Sequence, residues 1–331
     1  MTTLPKVLHL VDDMTAGGVM RVVDHIMTSP DLAAKAHHRM LQVPRGIVSS
    51  QKYDADLVVS HLSISWRNLP LLIAARAANA STRLVHVEHS YTEAFVALNV
   101  KHRTRFTALL KTALSLFDQV VAVSHAQAAW IASRGYCRAN KIVTIQSCVD
   151  LSAFRAMPAP KGRPRVFAAI GRLDTQKGFD TLIVAFKQRA SDDLELHIYG
   201  EGNEELALRK LAAGDHGIVF KGWATDPIAA FSDVDVVLMP SRWEAYGLVA
   251  IEALSAGKQV FCSNTDGLKD HADAGAILVS GRTASAWAAV IETAQSEAYI
   301  PHQSGSIRID SVLERRFSKA WSKLVCPTLT D

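Results

Sequence analysis

The chain has 331 residues, 21% of them charged and 49% hydrophobic, a balance that excludes a disordered chain and suits two domains with a core each. No apolar run approaches the ~18 residues that span a bilayer, and the opening MTTLPKVLHLVDD is read as carrying no export signal. The net charge of +4 is unevenly spread: residues 1–155 hold 17 Lys and Arg against 10 Asp and Glu, the remainder 19 against 22. Nine of the thirteen histidines also fall in the first part. That asymmetry turns the first half toward an anionic partner, either a membrane face or a phosphorylated acceptor. No basic run interleaved with aromatics points to nucleic acid. The cysteines (Cys137, Cys148, Cys262, Cys326) lack C-x-x-C spacing and read as free thiols of a reducing cytoplasm.

In chain order, KVLHLV, DLVVSH, RLVHVEH, QVVAVS and KIVTIQ read as buried parallel strands of the first half, and RVFAAIG, LELHIYG, GIVFKG, VDVVLMP and KQVFCS as those of the second. Segments with apolar spacing of three and four lie between them, for example Phe106, Leu109, Leu110, Ala113, Leu114 and Phe117. This alternation predicts doubly wound α/β sheets. RAMPAPKGRP breaks both periods with three prolines and a glycine, so the domain boundary is expected near residue 160.

Ligands of open α/β sheets bind beyond the carboxyl ends of the strands, and the informative residues fall there. The first strand ends in V-D-D-M-T-A-G-G, placing Gly17 and Gly18 before a helix. The second half offers G-R-L-D-T-Q-K-G, then Y-G-E-G, F-K-G-W and P-S-R-W-E-A-Y-G, each between a strand and the next helix. Arg172 and Lys177 flank a loop that Gly178 closes. Two cations and helix N-terminal amides could converge on a diphosphate; taken alone, the pair reads as readily as a solvated loop. In MPSRWEAYGLVAIEALSAG, Glu244 precedes a helix and Glu252 lies within it. Both carboxylates are candidate acceptors for sugar hydroxyls; the alternative for Glu252 is an ordinary salt-bridged helix residue.

Taken together, P-S-R-W-E-A-Y-G-L-V-A-I-E-A-L-S-A-G, G-R-L-D-T-Q-K-G, L-H-I-Y-G-E-G, V-A-V-S-H-A-Q and I-Q-S-C-V-D-L-S-A-F resemble, in order and spacing, the retaining GT-B glycosyltransferases of glycosyltransferase family four. The resemblance covers residues 7–278. It implies two Rossmann-like doubly wound domains facing a central cleft: an acceptor-side domain over 1–155, a linker over 156–164, and a nucleotide-sugar donor domain over 165–309. A C-terminal helix over about 310–326 is expected to pack back on the first domain. The implied activity moves a sugar from a nucleoside diphosphate sugar to a glycan or lipid-linked acceptor in cell-surface polysaccharide or lipopolysaccharide synthesis.

The same resemblance implies roles for individual residues. Arg172 and Lys177 bind the donor diphosphate, Glu252 the ribose, and Glu244 with the amides after it the transferred sugar. Gly17, Gly18, Gly171, Gly200, Gly202, Trp223, Tyr246, Gly247 and Leu248 complete the donor site. His89 lines the sugar site, with His61 and Ser90 as weaker acceptor-side candidates; His86 reads as a packed core residue. Glu244, His89, Arg172 and Lys177 form the implied catalytic set.

The chain departs from the family pattern in three places: Met20 stands where a glutamate usually follows the glycine pair, Ser147-Cys148 replaces Asn-Gly, and T-D-G-L-K-D stands where G-x-P-E is usual. These bear on acceptor contacts and on the identity of the donor sugar. Asp233-Val234-Asp235 spells a metal-binding D-x-D but sits at the amino end of its strand, where a structural role is expected. No metal or other cofactor is therefore expected. Residues 101–117 combine an apolar face with basic residues at one end, which suits either a core-packed helix or a peripheral contact with an anionic membrane. A GT-B nucleotide-sugar epimerase and a non-catalytic sugar-binding protein are the rival readings.

Overall fold

In the computed structural model, residues 4–158, 160, 162–189, 191–296 and 311–326 are described. Two compact units result: Met1–Asp150 with Leu313–Asp331, and Leu151–Val312. Each is built on a six-stranded parallel sheet.

The first sheet holds β1 (Lys6–Val11), β2 (His37–Gln42), β3 (Leu57–Ser60), β4 (Arg83–Glu88), β5 (Gln119–Ala122) and β6 (Ile142–Thr144), in the order β2-β1-β3-β4-β5-β6. Five of these are the strands expected from apolar runs. The sixth, β2, reads HHRMLQ with an alternating half-exposed pattern, because an edge strand has one neighbour and needs no continuous apolar stretch. Leu10, Val58, Leu72, Leu84, Leu110, Leu114 and Val120 belong to the core of this unit. The helix Arg103–Ser115 turns Leu109, Leu110, Ala113 and Leu114 inward, which is the core-packing alternative for this segment. Its basic residues Arg103, Arg105 and Lys111 stay exposed.

The second sheet holds β7 (Val166–Ile170), β8 (Glu195–Tyr199), β9 (Ile218–Gly222), β10 (Val236–Met239), β11 (Gln259–Ser263) and β12 (Ile277–Val279), in the order β12-β11-β10-β7-β8-β9. Its core gathers Phe167, Phe186, Leu196, Leu238 and Trp287. The three-residue β12 is too short to show a period of its own.

The helix Val312–Val325 belongs almost entirely to the first unit. Trp321 packs over His9 with ring centroids 6.2 Å apart, Phe317 lies 5.4 Å from His25, and the Leu324 carbonyl accepts from Arg83. The division between units falls after Asp150, ahead of the linker expected over 156–164. The short helix Ser152–Arg155 goes with the second unit, because Phe154 meets Phe231 edge-on at 5.4 Å. Ala159, Lys161 and the stretch 297–310, through which the second domain was expected to run, lie outside the described residues.

Candidate functional site

A doubly wound sheet has a crevice where its strand order reverses. In the second unit the chain runs outward from β7 through β8 to β9 and then returns to β10 on the other side of β7. The loops after β7 and β10 therefore meet, and they carry the sequence-predicted donor residues.

Glycines let these loops close on each other. Gly171 follows β7 at φ +153, and a Cβ there would lie 3.0 Å from Cε of Lys177. A Cβ on Gly200 would come within 1.9 Å of the Gly171 carbonyl oxygen, and one on Gly202 within 2.3 Å of the Leu173 carbonyl oxygen. The loops after β7 and β8 are thus packed backbone to backbone, tied by Leu173 N–H donating to the Glu201 carbonyl at 2.8 Å. Gly178 and Gly247 also have positive φ (+68 and +92), and a Cβ on Gly178 would lie 2.3 Å from the Pro240 carbonyl oxygen.

Within this frame Lys177 Nζ donates to Glu244 Oε2 at 2.5 Å, and both side chains are largely buried. Ser241 Oγ approaches the same oxygen at 3.4 Å. The Glu244 loop is pinned from both sides. The Arg242 amide donates to the Gln176 carbonyl at 2.7 Å, Gln176 Nε2 donates to the Trp243 carbonyl at 3.0 Å, and Gly267 N–H donates to the Glu244 carbonyl at 3.0 Å. His271 Nε2 donates to the Tyr246 carbonyl at 2.7 Å, and burial lowers its proton affinity.

Arg172 and Lys177 do not converge on a shared partner. The Arg172 side chain is 71% exposed, with Nε 3.6 Å from Asp174 Oδ2, whereas Lys177 is turned in on Glu244. The reason is geometric: the turn Thr175–Lys177 and the left-handed Gly178 carry Lys177 back under the β10 loop. Glu244 precedes the helix Leu248–Ser255 and Glu252 lies within it, 1% exposed. Tyr246 is buried at the start of that segment, Leu248 opens the helix, and Trp223 after β9 is half exposed. Sequence reading missed Asp266, whose Oδ2 accepts from the Glu244 amide at 3.3 Å from a backbone at φ +39. The only trace of it was the departure from G-x-P-E. Asp235 accepts the amides of Arg165 and Val166 at 2.8 and 2.9 Å, a structural use of the D-x-D.

In the first unit the order reverses between β1 and β3. Asp12, just past β1, accepts Ser63 Oγ at 2.5 Å, Asn68 Nδ2 at 3.1 Å and Arg45 Nε at 3.1 Å. No sequence signal singled out this cluster, because its members are spread over 56 positions. Gly17 caps the helix Gly18–Thr28 in an extended conformation, and a Cβ there would touch nothing closer than 3.8 Å. Neither backbone strain nor crowding within the chain explains that glycine. His61 is buried past β3, and its Nδ1 lies 2.9 Å from Nε2 of the half-buried His89 past β4. Ser90 is exposed, its amide donating to Glu88 Oε1 at 2.8 Å. His86 is buried, as a packed residue would be, against Phe117 at 5.0 Å.

The profile of the family Glycosyltransferase Family 4 matches residues 13–153, and that of Glycosyl transferases group 1 matches 164–296. A D-inositol 3-phosphate glycosyltransferase of Pseudarthrobacter chlorophenolicus is 31% identical over 236 residues, covering 64% of this chain and 54% of that one. An uncharacterised 41.2 kDa protein in the cps region of Klebsiella pneumoniae is 25% identical over 237 residues, covering 68% and 64%. The matches thus span between about half and two thirds of these relatives' lengths. Among solved structures, Anabaena HepE in complex with UDP aligns with TM-score 0.71 at 17% identity, over 98% of this chain and 99% of that one. The lipopolysaccharide outer core galactosyltransferase WaaB aligns with TM-score 0.72 at 17% identity, over 98% and 100%. Two Rossmann-like sheets, glycine-closed loops at the second switch point and profile matches along both units place this chain in the GT-B glycosyltransferases, as a member of glycosyl transferases group 1, family 4.

Proposed function

We propose that the protein is a retaining glycosyltransferase that takes a sugar from a nucleoside diphosphate sugar and passes it to a glycan or lipid-linked acceptor. The observation that carries the reading is the buried Lys177–Glu244 pair at the switch point of the second sheet, with the exposed Arg172 on the same loop. A donor diphosphate entering there meets one exposed guanidinium and one ammonium, and the leaving group's growing charge is stabilised by both. Glu244 then has two duties. It holds Lys177 in place, and its carboxylate accepts from hydroxyls of the sugar.

The leaving diphosphate itself takes the acceptor's proton on the face it departs from, which accounts for retention without a separate carboxylate nucleophile. His89 is assigned to the sugar side, and His61 stands behind it, its Nδ1 turned to His89 Nε2 rather than to an acceptor. With burial holding His89 down to about 4, its imidazole is neutral near pH 7 and works as a hydrogen-bonding group. Glu252 is assigned to the ribose. Its burial means that neighbouring side chains must part for that contact.

Place in cell-surface polysaccharide or lipopolysaccharide synthesis is supported by the relative from a cps region and by WaaB's description as an outer core galactosyltransferase. The nucleotide in the HepE complex is UDP, so uridine donors head the test. Among the described residues no helix is long and apolar enough to cross a membrane. The excess of Lys and Arg in the first unit suits it to meet a lipid-linked acceptor at an anionic bilayer surface. The deciding experiment is a thermal-shift screen of nucleoside diphosphate sugars followed by turnover with candidate acceptors. A stabilising donor with acceptor-dependent release of nucleoside diphosphate supports the assignment. Conversion of the donor without any acceptor would instead mark an epimerase, and binding without turnover of any acceptor a sugar-binding protein.

A further inference from the structure

Four histidines of the first unit occupy four adjacent strands in spatial order: His38 on β2, His9 on β1, His61 just past β3 and His89 just past β4. Their register is diagonal. His38 pairs with Val7, so His9 stands two residues further along. Leu10 pairs with Ser60, which puts His61 two further again. Ser60 pairs with His86, so His89 is another two beyond the level of His61. Steps of two keep side chains on one face of a sheet. The row therefore climbs from the edge strand to the carboxyl edge, where ligands bind.

The rings are joined nitrogen to nitrogen. His9 Nε2 lies 3.0 Å from His38 Nδ1, His9 Nδ1 3.0 Å from His61 Nε2, and His61 Nδ1 2.9 Å from His89 Nε2. Neighbouring rings are stacked with centroids 5.3, 5.3 and 5.2 Å apart. Trp321 covers His9 from the C-terminal helix. Burial holds His9 down to about 3 and His89 to about 4, and keeps His61 and His38 below the ordinary range as well. Among the described residues no three His, Cys, Asp or Glu gather into a metal-holding group; these rings stand in a line.

A neutral imidazole carries one N–H and one lone pair. His9 and His61 spend both nitrogens inside the row, so only two arrangements are self-consistent. Either every ring carries its proton on Nδ1, or every ring carries it on Nε2. The Nδ1 of His89, which the row leaves over, is a donor in the first arrangement and an acceptor in the second.

We propose that His38, His9 and His61 are positioning residues that couple the tautomer of His89 to their own, so that the sense in which His89 Nδ1 meets a hydroxyl of the bound sugar is set by the row as a whole. What His89 meets rests on the glycosyltransferase reading above; the coupling within the row does not. A hydroxyl can donate or accept, and a ring held in one tautomer selects one orientation of it.

The test is long-range proton–nitrogen correlation spectroscopy on the full chain labelled with ¹⁵N-histidine at pH 7. All four rings should be neutral and in one and the same tautomer. Two different tautomers in the row, or a cationic ring, would overturn the proposal. His9→Phe should turn His89 into a tautomer mixture and lower kcat by about three- to tenfold, the scale of one hydrogen bond, with donor KM held. If that variant does not fold, His38→Gln at the half-exposed end of the row carries the same expectation. A His89 signature or a kcat unchanged by breaking the row sinks the coupling. Absence of glycosyl transfer by the unaltered chain would count against the functional reading alone, and the spectra would still decide the row.

Discussion

At the scale of single residues, Lys177 and Glu244 share one hydrogen bond at 2.5 Å in a largely buried setting, so neither can be altered without disturbing the other. Removing one partner of such a pair leaves an uncompensated charge, which is where most of the cost arises. Glu244→Gln keeps the size and an acceptor but no longer balances Lys177. Its kcat should fall by about 100-fold, the scale seen when one group that meets developing charge is lost, and by more than donor KM rises. Glu252→Gln should do the reverse, raising donor KM with little change in kcat, since the ribose does not change during reaction. Steady-state kinetics of both variants check this, and exchanged behaviours would exchange the two roles.

Histidines add a pH dependence at the same scale. The folded first unit holds His9 at about 3 and His89 at about 4, against 6.5 in the unfolded chain. Below pH 6.5 the unfolded chain therefore takes up protons that the folded unit refuses, and folding stability falls as pH drops toward 4. Above 6.5 both states are neutral at these positions and the contribution levels off. Denaturant midpoints between pH 4 and 8 should trace that shape, and a midpoint that stays flat from 6.5 to 4.5 would show that the rings are not buried neutral.

At the scale of elements, the second sheet's switch point depends on glycine contacts that no side chain could share. A methyl at Gly200 would have to fit 1.9 Å from the Gly171 carbonyl oxygen, at φ +133. Gly200→Ala should therefore destabilise the protein by about 2–4 kcal/mol, combining backbone strain with overpacking. Gly17→Ala has room and ordinary backbone, with nothing nearer than 3.8 Å. It should melt like the parent, and any loss of turnover would then report on a ligand brought close to that loop. Calorimetry and kinetics on the two variants separate structural from functional glycines. Equal melting temperatures for both would remove the distinction.

At the scale of the whole molecule, the two units carry opposite charge tendencies, and the basic one also turns Arg103, Arg105 and Lys111 outward from a helix whose apolar face is used up in its own core. A membrane contact there would be electrostatic and without insertion, each basic group contributing ~1 kcal/mol near an anionic surface. Flotation should show binding to anionic vesicles that is lost in high salt. Equal binding to neutral vesicles would contradict this. Turnover should also survive excess chelator, since Arg172 and Lys177 are assigned to the diphosphate and Asp235 is spent on the amides of Arg165 and Val166. Loss of activity restored by magnesium or manganese would reverse that assignment.

Much of this protein was legible in one dimension because the signals are local. Ten strands announce themselves as apolar runs, for a strand buried on both faces of a parallel sheet needs no polar positions. Glycines at strand ends and the Glu244–Glu252 spacing lie within single loops and helices, so pattern alone pointed to the family and to the loops that the donor reading uses. What only the tertiary structure decided depends on strand order. The half-exposed β2 took its place by pairing with β1, which brought His38 beside His9. Lys177 met Glu244, 67 positions away, because β7 and β10 became neighbours. The histidine row and the Asp12 cluster join residues drawn from separate strands and loops, and no period along the chain relates them. Side-chain partners across a parallel sheet are set by register, which exists only once the strands have paired.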